Sequence, residues 1–248
     1  DVMLDNQFED GSDGRLYEYE LVYFPTTTVD GAPDGLKLPQ PDDVVGVPLR
    51  SLGPDPEAYR YPYLVKNNRK DQDFSGLIAF LEVFGGSDDE LADTLADVID
   101  VAQWLRAFAF MSLAGAVDHY GAGAQHNAQL YLRPSDGRAL LFPHDLDYFP
   151  GNSDSPLVGS GDLGRLLRLP GNKRRFYQDL YEIIETTYND DYLAHWRDQL
   201  GALLPGQPFA SHHDFMVRRA EWVMNGASDA VTKTFPYVPF AIDEPVDG

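Results

Sequence analysis

Hydrophobic and polar positions follow two different patterns along the chain, and the change falls near residue 72. Before that point, aromatic and β-branched residues gather in two short segments, 16–24 and 61–66, which predict strands. The stretch between them, 25–60, is rich in Pro, Gly and Asp and lacks periodicity, so we expect it to wrap a surface. After residue 72, apolar residues recur at helical spacing. The pattern therefore predicts an α+β fold that is mainly helical in its second part.

Start and stop signals place the helices of that second part. The first helix, 74–84, ends at a Gly-Gly pair, and Ser87 with Glu90 has the spacing of a capping box that begins the next helix. That helix is expected to break near 97–100 and to continue as a buried, largely apolar helix through Leu113. Four further helices are predicted at 163–169, 173–188, 191–204 and 211–227.

A β-hairpin is predicted between the buried helix and the later helices. Its strands are 129–133 and 138–142, and a Pro-Ser-Asp-Gly turn joins them, with Pro placed early and Gly late. A hairpin brings its two outer ends together, so residues that flank the two strands become neighbours.

Polar residues that could carry chemistry gather at that end of the hairpin. Asp118 follows the buried helix, and Asn127 precedes the first strand. Asp145 and Asp147 follow the second strand, and alternation along an extended segment would point both to the same side. Carboxylates packed this closely repel unless a cation neutralises them, and such oxygen ligands suit Mg²⁺, Mn²⁺ or Ca²⁺ better than zinc. The sequence therefore predicts a divalent-metal site here.

The order of these residues is also the order found in protein kinases. There a first Asp orients the substrate hydroxyl, and an Asn and a second Asp hold metal ions that bridge the ATP phosphates. Taken singly, each residue type is common in turns. The apolar strand 138–142 runs directly into two acids, however, and this is costly unless something binds them. Together the residues favour phosphate transfer from ATP.

Charge and composition narrow the partners. Forty acidic residues stand against nineteen basic ones, a net charge of −21, and there is no cysteine. A chain this acidic repels nucleic acid and anionic membranes and attracts basic polypeptides and cations, so we expect no nucleic-acid partner. No apolar run is long enough to span a bilayer, so no membrane insertion is expected. The lack of cysteine excludes disulfides, thiolate zinc sites and a cysteine nucleophile.

The segment 126–151, HNAQLYLRPSDGRALLFPHDLDYFPG, resembles the core signature of the spore coat protein H (CotH) kinase family. In that family an Asn-containing strand precedes an apolar strand that ends in a Pro-Trp-Asp-x-Asp-like motif. Five other segments are similar to the family in the same order, and the similarity extends from residue 14 to about residue 227. They are 14–24, 63–81, 97–120, 164–184 and 215–223.

The resemblance implies an atypical protein-kinase-like fold, with a mainly helical C-lobe that contains the catalytic hairpin. It implies transfer of phosphate from ATP to Ser or Thr of a protein substrate, with Asp118 as the catalytic carboxylate. Asn127, Asp145 and Asp147 are the implied residues for Mg²⁺, Mn²⁺ or Ca²⁺, and Asp145 is the stronger candidate of the two acids. Lys66 matches a recurrent family lysine and is our candidate for contact with the nucleotide phosphates. We expect a substrate that is basic, and a location that is extracellular, on a cell surface or in a spore coat.

Two departures from the family pattern matter. His144 stands where the family usually has Trp, and the Arg-Gly-x-Ser-type segment of the upstream N-lobe is not found. We therefore expect an incomplete N-lobe, with the chain beginning partway through the fold. On this view 1–72 is the remainder of the N-lobe and a wrapping segment, 73–231 is the C-lobe, and 232–248 is a linker or the start of a further domain. Whether such a chain is active alone is left open.

Two other functions stay open beside the kinase. A non-catalytic cell-surface or adhesion protein on the same fold would need no complete phosphate site. A metal-dependent phosphohydrolase would use His144 and Asp145 to hold two metal ions. The segment 159–164 fits Gly-x-Gly-x-x-Gly, but a Pro-containing loop precedes it and Pro170 stops the helix after it. We therefore expect a flexible connection there and no dinucleotide site.

Overall fold

The computed structural model describes residues 2–9, 11–24, 28–32, 35–36, 38–147, 152–159 and 161–225. The predicted linker 232–248 and Ser160 of the glycine-containing segment lie outside the described residues. Eight α-helices and six short strands occur in the described ranges, which confirms the α+β class. Within those ranges, no helix combines the length and the apolar character needed to cross a bilayer.

Each helix predicted after residue 72 is present, with ends that differ from the prediction by a few residues. The helices are Val2–Gln7 (α1), Ser75–Phe84 (α2), Asp88–Val98 (α3), Val101–Ala114 (α4), Asp162–Leu166 (α5), Asn172–Thr186 (α6), Asp190–Leu203 (α7) and Phe209–Met224 (α8). The strands are Arg15–Tyr19 (β1), Val22–Tyr23 (β2), Val44–Val45 (β3), Tyr63–Val65 (β4), Ala128–Leu132 (β5) and Ala139–Pro143 (β6).

Side-chain caps explain where the central helices begin. The Ser87 hydroxyl accepts from the Glu90 amide at 3.3 Å, and the Glu90 carboxylate accepts from the Ser87 amide at 3.0 Å. The predicted capping box of α3 is therefore confirmed. Asp100 then caps α4 by accepting from the Gln103 amide at 3.2 Å. The predicted break between the two helices is thus confirmed, because each new helix start needs its own acceptor for free N–H groups.

A four-stranded antiparallel sheet joins the first part of the chain to the predicted hairpin. The strand order is β4-β1-β5-β6, so the hairpin of β5 and β6 pairs along β1. In this register Leu130 lies between Tyr17 on β1 and Leu141 on β6. All three side chains are buried in one core together with residues of the helices. Alternation along the strands therefore gives the sheet one face toward the helices and one face away from them.

Helix α4 docks directly on the edge strand β6. The indole N–H of Trp104 donates to the Ala139 carbonyl at 2.8 Å. The Gln103 amide pairs with the backbone of Leu141, donating to its carbonyl at 2.6 Å and accepting from its N–H at 2.9 Å. These bonds satisfy backbone groups that an edge strand leaves open. The helix thereby fixes the course of β6 and, with it, the residues that follow.

The short helix α1 has no counterpart in the sequence prediction, which places no element before residue 16. Its Leu4 is buried with Tyr131 and Leu140 on the sheet face that points away from the main core. The Phe8 ring, just after the helix, stacks on the Tyr131 ring with centroids 5.3 Å apart. A six-residue helix with one buried side chain gives too little periodicity to be detected.

The sheet also bears on the predicted segments of the chain. Strands β1 and β4 come from 1–72, and strands β5 and β6 come from 73–231, so the two segments share one sheet. They share one hydrophobic core as well. The division into an incomplete N-lobe and a C-lobe stays a prediction, because a shared sheet and a shared core do not mark a boundary between lobes.

Candidate active site

Asp118 lies in the loop that follows α4. The helix ends at Gly115, which has φ of 73°, a left-handed conformation that favours glycine, and a side chain there would meet the Phe215 ring. Three residues later, the half-buried Asp118 has one carboxylate oxygen, Oδ1, that is fully buried and accepts no hydrogen bond. Among the residues that the structure describes, no other acid has a buried oxygen in this state. Such an atom is costly to bury, and this favours a functional position.

Asn127 immediately precedes β5 and is directly bonded to the Asp118 loop. Its side chain is 3% exposed, and its Nδ2 donates to the backbone carbonyl of Asp118 at 3.1 Å. The residue has φ of 57°, which few non-glycine residues adopt, although Asn does so more readily than most. The structure therefore brings these two predicted site residues together.

Asp145 leaves the sheet at the same end as Asn127. Ala128 pairs with Pro143 in the hairpin register, so the residues beyond this pair exit side by side. This agrees with the expectation that the hairpin ends are neighbours. Asp145 is exposed and has φ of 49°, so it too is in the left-handed region. The two residues predicted to hold metal from the hairpin thus share an unusual backbone conformation.

The expected extended course through Asp147 is wrong. Strand β6 ends at Pro143, and the left-handed conformation of Asp145 turns the chain, so alternation no longer decides where Asp147 points. Asp147 is exposed, while Leu146 between the two acids packs against the main core. The partly buried Leu146 contacts the core here, while Asp145 and Asp147 on either side of it are exposed.

The predicted carboxylates do not form a closed metal site. Across the described ranges, no group of three or more Asp, Glu or His side chains is arranged to hold a metal ion. The donor set still suits a shared metal: Asn127 offers an amide oxygen and Asp145 a carboxylate, both hard ligands for Mg²⁺ or Mn²⁺. Magnesium ordinarily takes one or two protein carboxylates and completes its shell with phosphate oxygens and water. The residues therefore fit a metal that arrives with a nucleotide.

Lys66 is tied to the residue before Asp145 through a single carboxylate. Its Nζ lies 2.7 Å from Glu18 Oε2, and His144 Nε2 lies 3.0 Å from the same oxygen. Burial raises the pKa of Glu18, but the hydrogen bond and charge of Lys66, helped by His144 and Gln129, outweigh it and hold that pKa below its ordinary value. Glu18 was not singled out from the sequence. The sequence signal that could have indicated Glu18 is its position between Tyr17 and Tyr19, because alternation along the strand places this acid on the face opposite to the two tyrosines.

The residues that follow Asp118 anchor the loop. His119 is 4% exposed, and burial, followed by the charge of Arg219, lowers its pKa to about 4, so it is neutral at pH 7. The Tyr120 hydroxyl donates to Asp162 at 2.8 Å, a contact with α5 that the sequence did not indicate. Burial of both side chains, together with the bond from Tyr120 to Asp162, thus anchors the loop.

The glycine-containing segment 159–164 leads into the five-residue helix α5. There Arg165 forms an ion pair of 2.6 Å with Asp88 and donates to the Phe84 carbonyl at 2.5 Å. It also donates to the Gly86 carbonyl. The segment therefore ties α5 to the turn between α2 and α3. A dinucleotide site would need a long helix after the glycines, and α5 is too short for one.

These features define a class of protein: an α+β fold with a helical second part, in which a hairpin and the preceding loop present an acid, an amide and a second acid in kinase order. The chain belongs to the CotH kinase protein family, whose model matches residues 3–210. That match confirms the resemblance and includes every predicted site residue. A comparison with curated proteins finds no match.

Proposed function

We propose that this chain is a divalent-metal-dependent protein kinase that transfers phosphate from ATP to a Ser or Thr hydroxyl. The bond between Asn127 and the backbone of Asp118, beside a buried Asp118 oxygen that has no donor, is the observation that carries the proposal. A half-buried acid that has one unbonded carboxylate oxygen, and whose backbone is bonded to a metal-type ligand, suits catalysis better than stability. Membership of the CotH kinase family supports the same reaction class.

Asp118 has the role of the catalytic carboxylate. It orients the acceptor hydroxyl and takes up its proton as the new oxygen–phosphorus bond forms, while the bond from the γ-phosphorus to the bridging oxygen breaks and ADP leaves. Its buried oxygen has no donor among the described residues, and because the residue as a whole is only half-buried, part of it stays open to an acceptor hydroxyl.

Asn127 and Asp145 supply the metal ligands, and Asp147 contributes more weakly. Bound ATP with its metal ion provides the transferable phosphate and an electrostatic clamp on the developing charge. The amide oxygen of Asn127 is the ligand atom, because Nδ2 is engaged by the Asp118 carbonyl. Lys66 has three donors on its ammonium group, and Glu18 engages one of them, so the others can meet phosphate oxygens.

The substrate is a protein, and we propose that it is basic. A net charge of −21 attracts basic polypeptides and raises their local concentration near the enzyme. The family relationship supports a protein substrate and a spore-coat or cell-surface setting.

Phosphate transfer from γ-labelled ATP, with myelin basic protein as a basic acceptor and casein as an acidic one, tests the proposal directly. Labelling is expected with Mg²⁺ or Mn²⁺, stronger on the basic protein, and absent in Asp118→Asn and Asp145→Asn. Asp198→Asn is the matched control, because Asp198 is an exposed helix residue that pairs only with its neighbour Arg197 among the contacts described. Metal-independent labelling, or equal labelling by Asp118→Asn, would contradict the proposal.

One surface favours the second candidate, a non-catalytic binding protein. An apolar groove of about 540 Å³ lies between α4, α6, α7 and α8, and it reaches Leu146 between the two acids. Phe110, Tyr192 and Trp196 line it and are each more than two fifths exposed. Exposed apolar patches of this kind often bind protein. Binding of a protein partner that survives chelation of metal and loss of Asp118 would favour this function.

The phosphohydrolase alternative has no comparable support. His144 and Asp145 follow a strand, and His144 is engaged by Glu18 at 3.0 Å. A two-metal hydrolase needs several protein ligands close together, and the described residues contain no group of three. Hydrolysis of a phosphoester without ATP would revive it.

A further inference from the structure

The two metal-side residues of the hairpin share a feature beyond their backbone conformation: each follows a histidine. His144 precedes Asp145, and its Nε2 lies 3.0 Å from Glu18 Oε2. His126 precedes Asn127, and its Nδ1 lies 3.6 Å from Glu20 Oε1. Both contacts lie within ion-pair distance, and the 3.6 Å contact of His126 is too long to be a hydrogen bond.

Glu18 lies on β1, and Glu20 directly follows that strand, where its backbone N–H donates to the Pro62 carbonyl at 3.0 Å. The two glutamates are two residues apart, so alternation places them on the same face, opposite to the buried Tyr17 and Tyr19. Their side chains are half-buried, at 12% and 22% exposure. Glu18 lies opposite Gln129 in the sheet, and the Gln129 amide donates to it at 3.4 Å. Glu18 is therefore held by the sheet, whereas Glu20 Oε1 accepts from the backbone N–H of Leu21 at 2.9 Å.

The histidines stand where the backbone needs support. Asn127 and Asp145 have φ of 57° and 49°, and among the described residues only two other non-glycine positions, Asn68 and Gln72, have positive φ. Such conformations cost free energy and persist when the surroundings hold them. Each one directly follows a histidine whose ring lies within ion-pair distance of a glutamate outside the hairpin.

We propose that Glu18 and Glu20 are positioning residues, each of which uses a histidine to hold the next residue in its left-handed conformation. Glu18 acts through His144 on Asp145, and Glu20 acts through His126 on Asn127. This inference rests on the proposed function for its purpose, which is to preset the two metal ligands. Glu18 also holds Lys66, so one carboxylate sets the lysine and the metal strand relative to each other.

Backbone chemical shifts in the metal-free full chain provide the first test. The ¹³Cα and ¹³Cβ shifts report φ, and we expect Glu18→Ala to change them at Asp145 while Asn127 stays as in the unaltered protein. Glu20→Ala should give the reverse pattern. Glu18→Gln and Glu20→Gln keep one acceptor oxygen each, so they should restore much of the original shift. General loosening of the fold would instead change both sites in both variants.

Glu182→Ala is the matched control. This substitution removes an ion pair of 3.2 Å between Glu182 and Arg106 in the helical part of the molecule. It should leave the chemical shifts of Asp145 and Asn127 unchanged. Unchanged shifts at Asp145 and Asn127 in Glu18→Ala and Glu20→Ala, or equal changes at both sites, would overturn the inference.

Binding of Mn²⁺ with a non-hydrolysable ATP analogue, followed by electron paramagnetic resonance, is the second readout. We expect Glu18→Ala and Glu20→Ala each to raise the dissociation constant about tenfold, the usual effect of removing a residue that orients a ligand. Glu182→Ala should leave the dissociation constant unchanged. Equal affinities in all variants would overturn the positioning role. If the unaltered chain binds no Mn²⁺ with the analogue, the proposed function fails, while the chemical shifts still decide whether the glutamates hold the two residues.

Discussion

The side-chain amide of Asn127 donates a hydrogen bond of 3.1 Å to the backbone carbonyl of Asp118. A planar amide has its nitrogen and oxygen on opposite branches, so fixing Nδ2 also fixes the direction of Oδ1. One bond thereby sets the candidate metal ligand relative to the loop that carries the candidate catalytic acid.

Replacing Asn127 should separate this bond from the backbone conformation. Asn127→Asp removes the donor and faces a carbonyl with a charge, while Asn127→Gly tolerates φ of 57° and removes the side chain. We expect both to weaken metal–nucleotide binding by roughly 10–100-fold. Titration calorimetry with Mn²⁺ and an ATP analogue measures this.

Asn68→Asp is the matched control for that experiment. Asn68 also has positive φ, at 47°, and its amide donates to the Ser12 carbonyl at 2.8 Å. The same chemical change there should leave nucleotide affinity within twofold. A similar loss at both positions would mean that the effect on Asn127 is one of general structure.

Asp118→Asn should reduce activity without reducing stability. We expect phosphate transfer to fall by roughly 10²–10⁴-fold, the usual contribution of a general base. The buried oxygen accepts no hydrogen bond among the described residues, so replacing the carboxylate by an amide breaks none there. Urea unfolding should therefore give a free energy equal to that of the unaltered protein. A loss of more than about 2 kcal/mol would indicate a structural role for the carboxylate.

The two acids after β6 should differ. Asp145→Asn is expected to abolish metal binding, whereas Asp147→Asn should keep most of it, because only Asp145 leaves the hairpin beside Asn127. Both acids are exposed, so unfolding free energies should change by less than about 0.5 kcal/mol. Equal effects on Mn²⁺ affinity would contradict this ranking.

Local signals in the sequence predicted the helices, the capping box and the hairpin. Ser87 with Glu90 and the Pro-Ser-Asp-Gly turn act over a few residues, so their outcome can be read from neighbours alone. The pairing of β1 with β5 joins residues about a hundred positions apart, and no local pattern encodes such a partner.

The same limit applies within the site. Kinase-like order and the family resemblance indicated Asp118, Asn127 and Asp145, and hairpin geometry correctly brought the last two to one end. The left-handed conformation of Asp145 was not foreseen, since Asp is common in many kinds of turn. Glu18 was missed because its contacts come from Lys66 and His144, which follow two other strands and are distant in sequence.

Lys66→Met should destabilise the protein in a pH-dependent way. The pKa of Glu18 is lowered in the folded state mainly because Lys66 outweighs the effect of burial. A carboxylate with a lowered pKa contributes stability above its unfolded pKa, and this contribution is lost as pH falls through the folded pKa. We expect the variant to lose about 1 kcal/mol at pH 7, and this deficit to shrink as pH falls through the folded pKa of Glu18. Urea unfolding over a series of pH values measures this, and a deficit that does not change with pH would contradict it.

His119 should make the protein less stable in mild acid. Burial, followed by the charge of Arg219, lowers its pKa to about 4, whereas an unfolded histidine has a pKa near 6.5. Between these values the unfolded chain binds more protons than the folded one, so stability rises with pH. The difference between the two pKa values corresponds to a loss of about 3 kcal/mol in the free energy of unfolding once the pH is below both. His119→Gln cannot be protonated, so it should remove most of this loss between pH 7 and pH 4.5 in urea unfolding. His195→Gln is the control, because His195 is exposed on α7 and its replacement leaves the buried His119 in place. If His119→Gln loses as much stability in acid as the unaltered protein, His119 is not the group that makes the fold sensitive to pH.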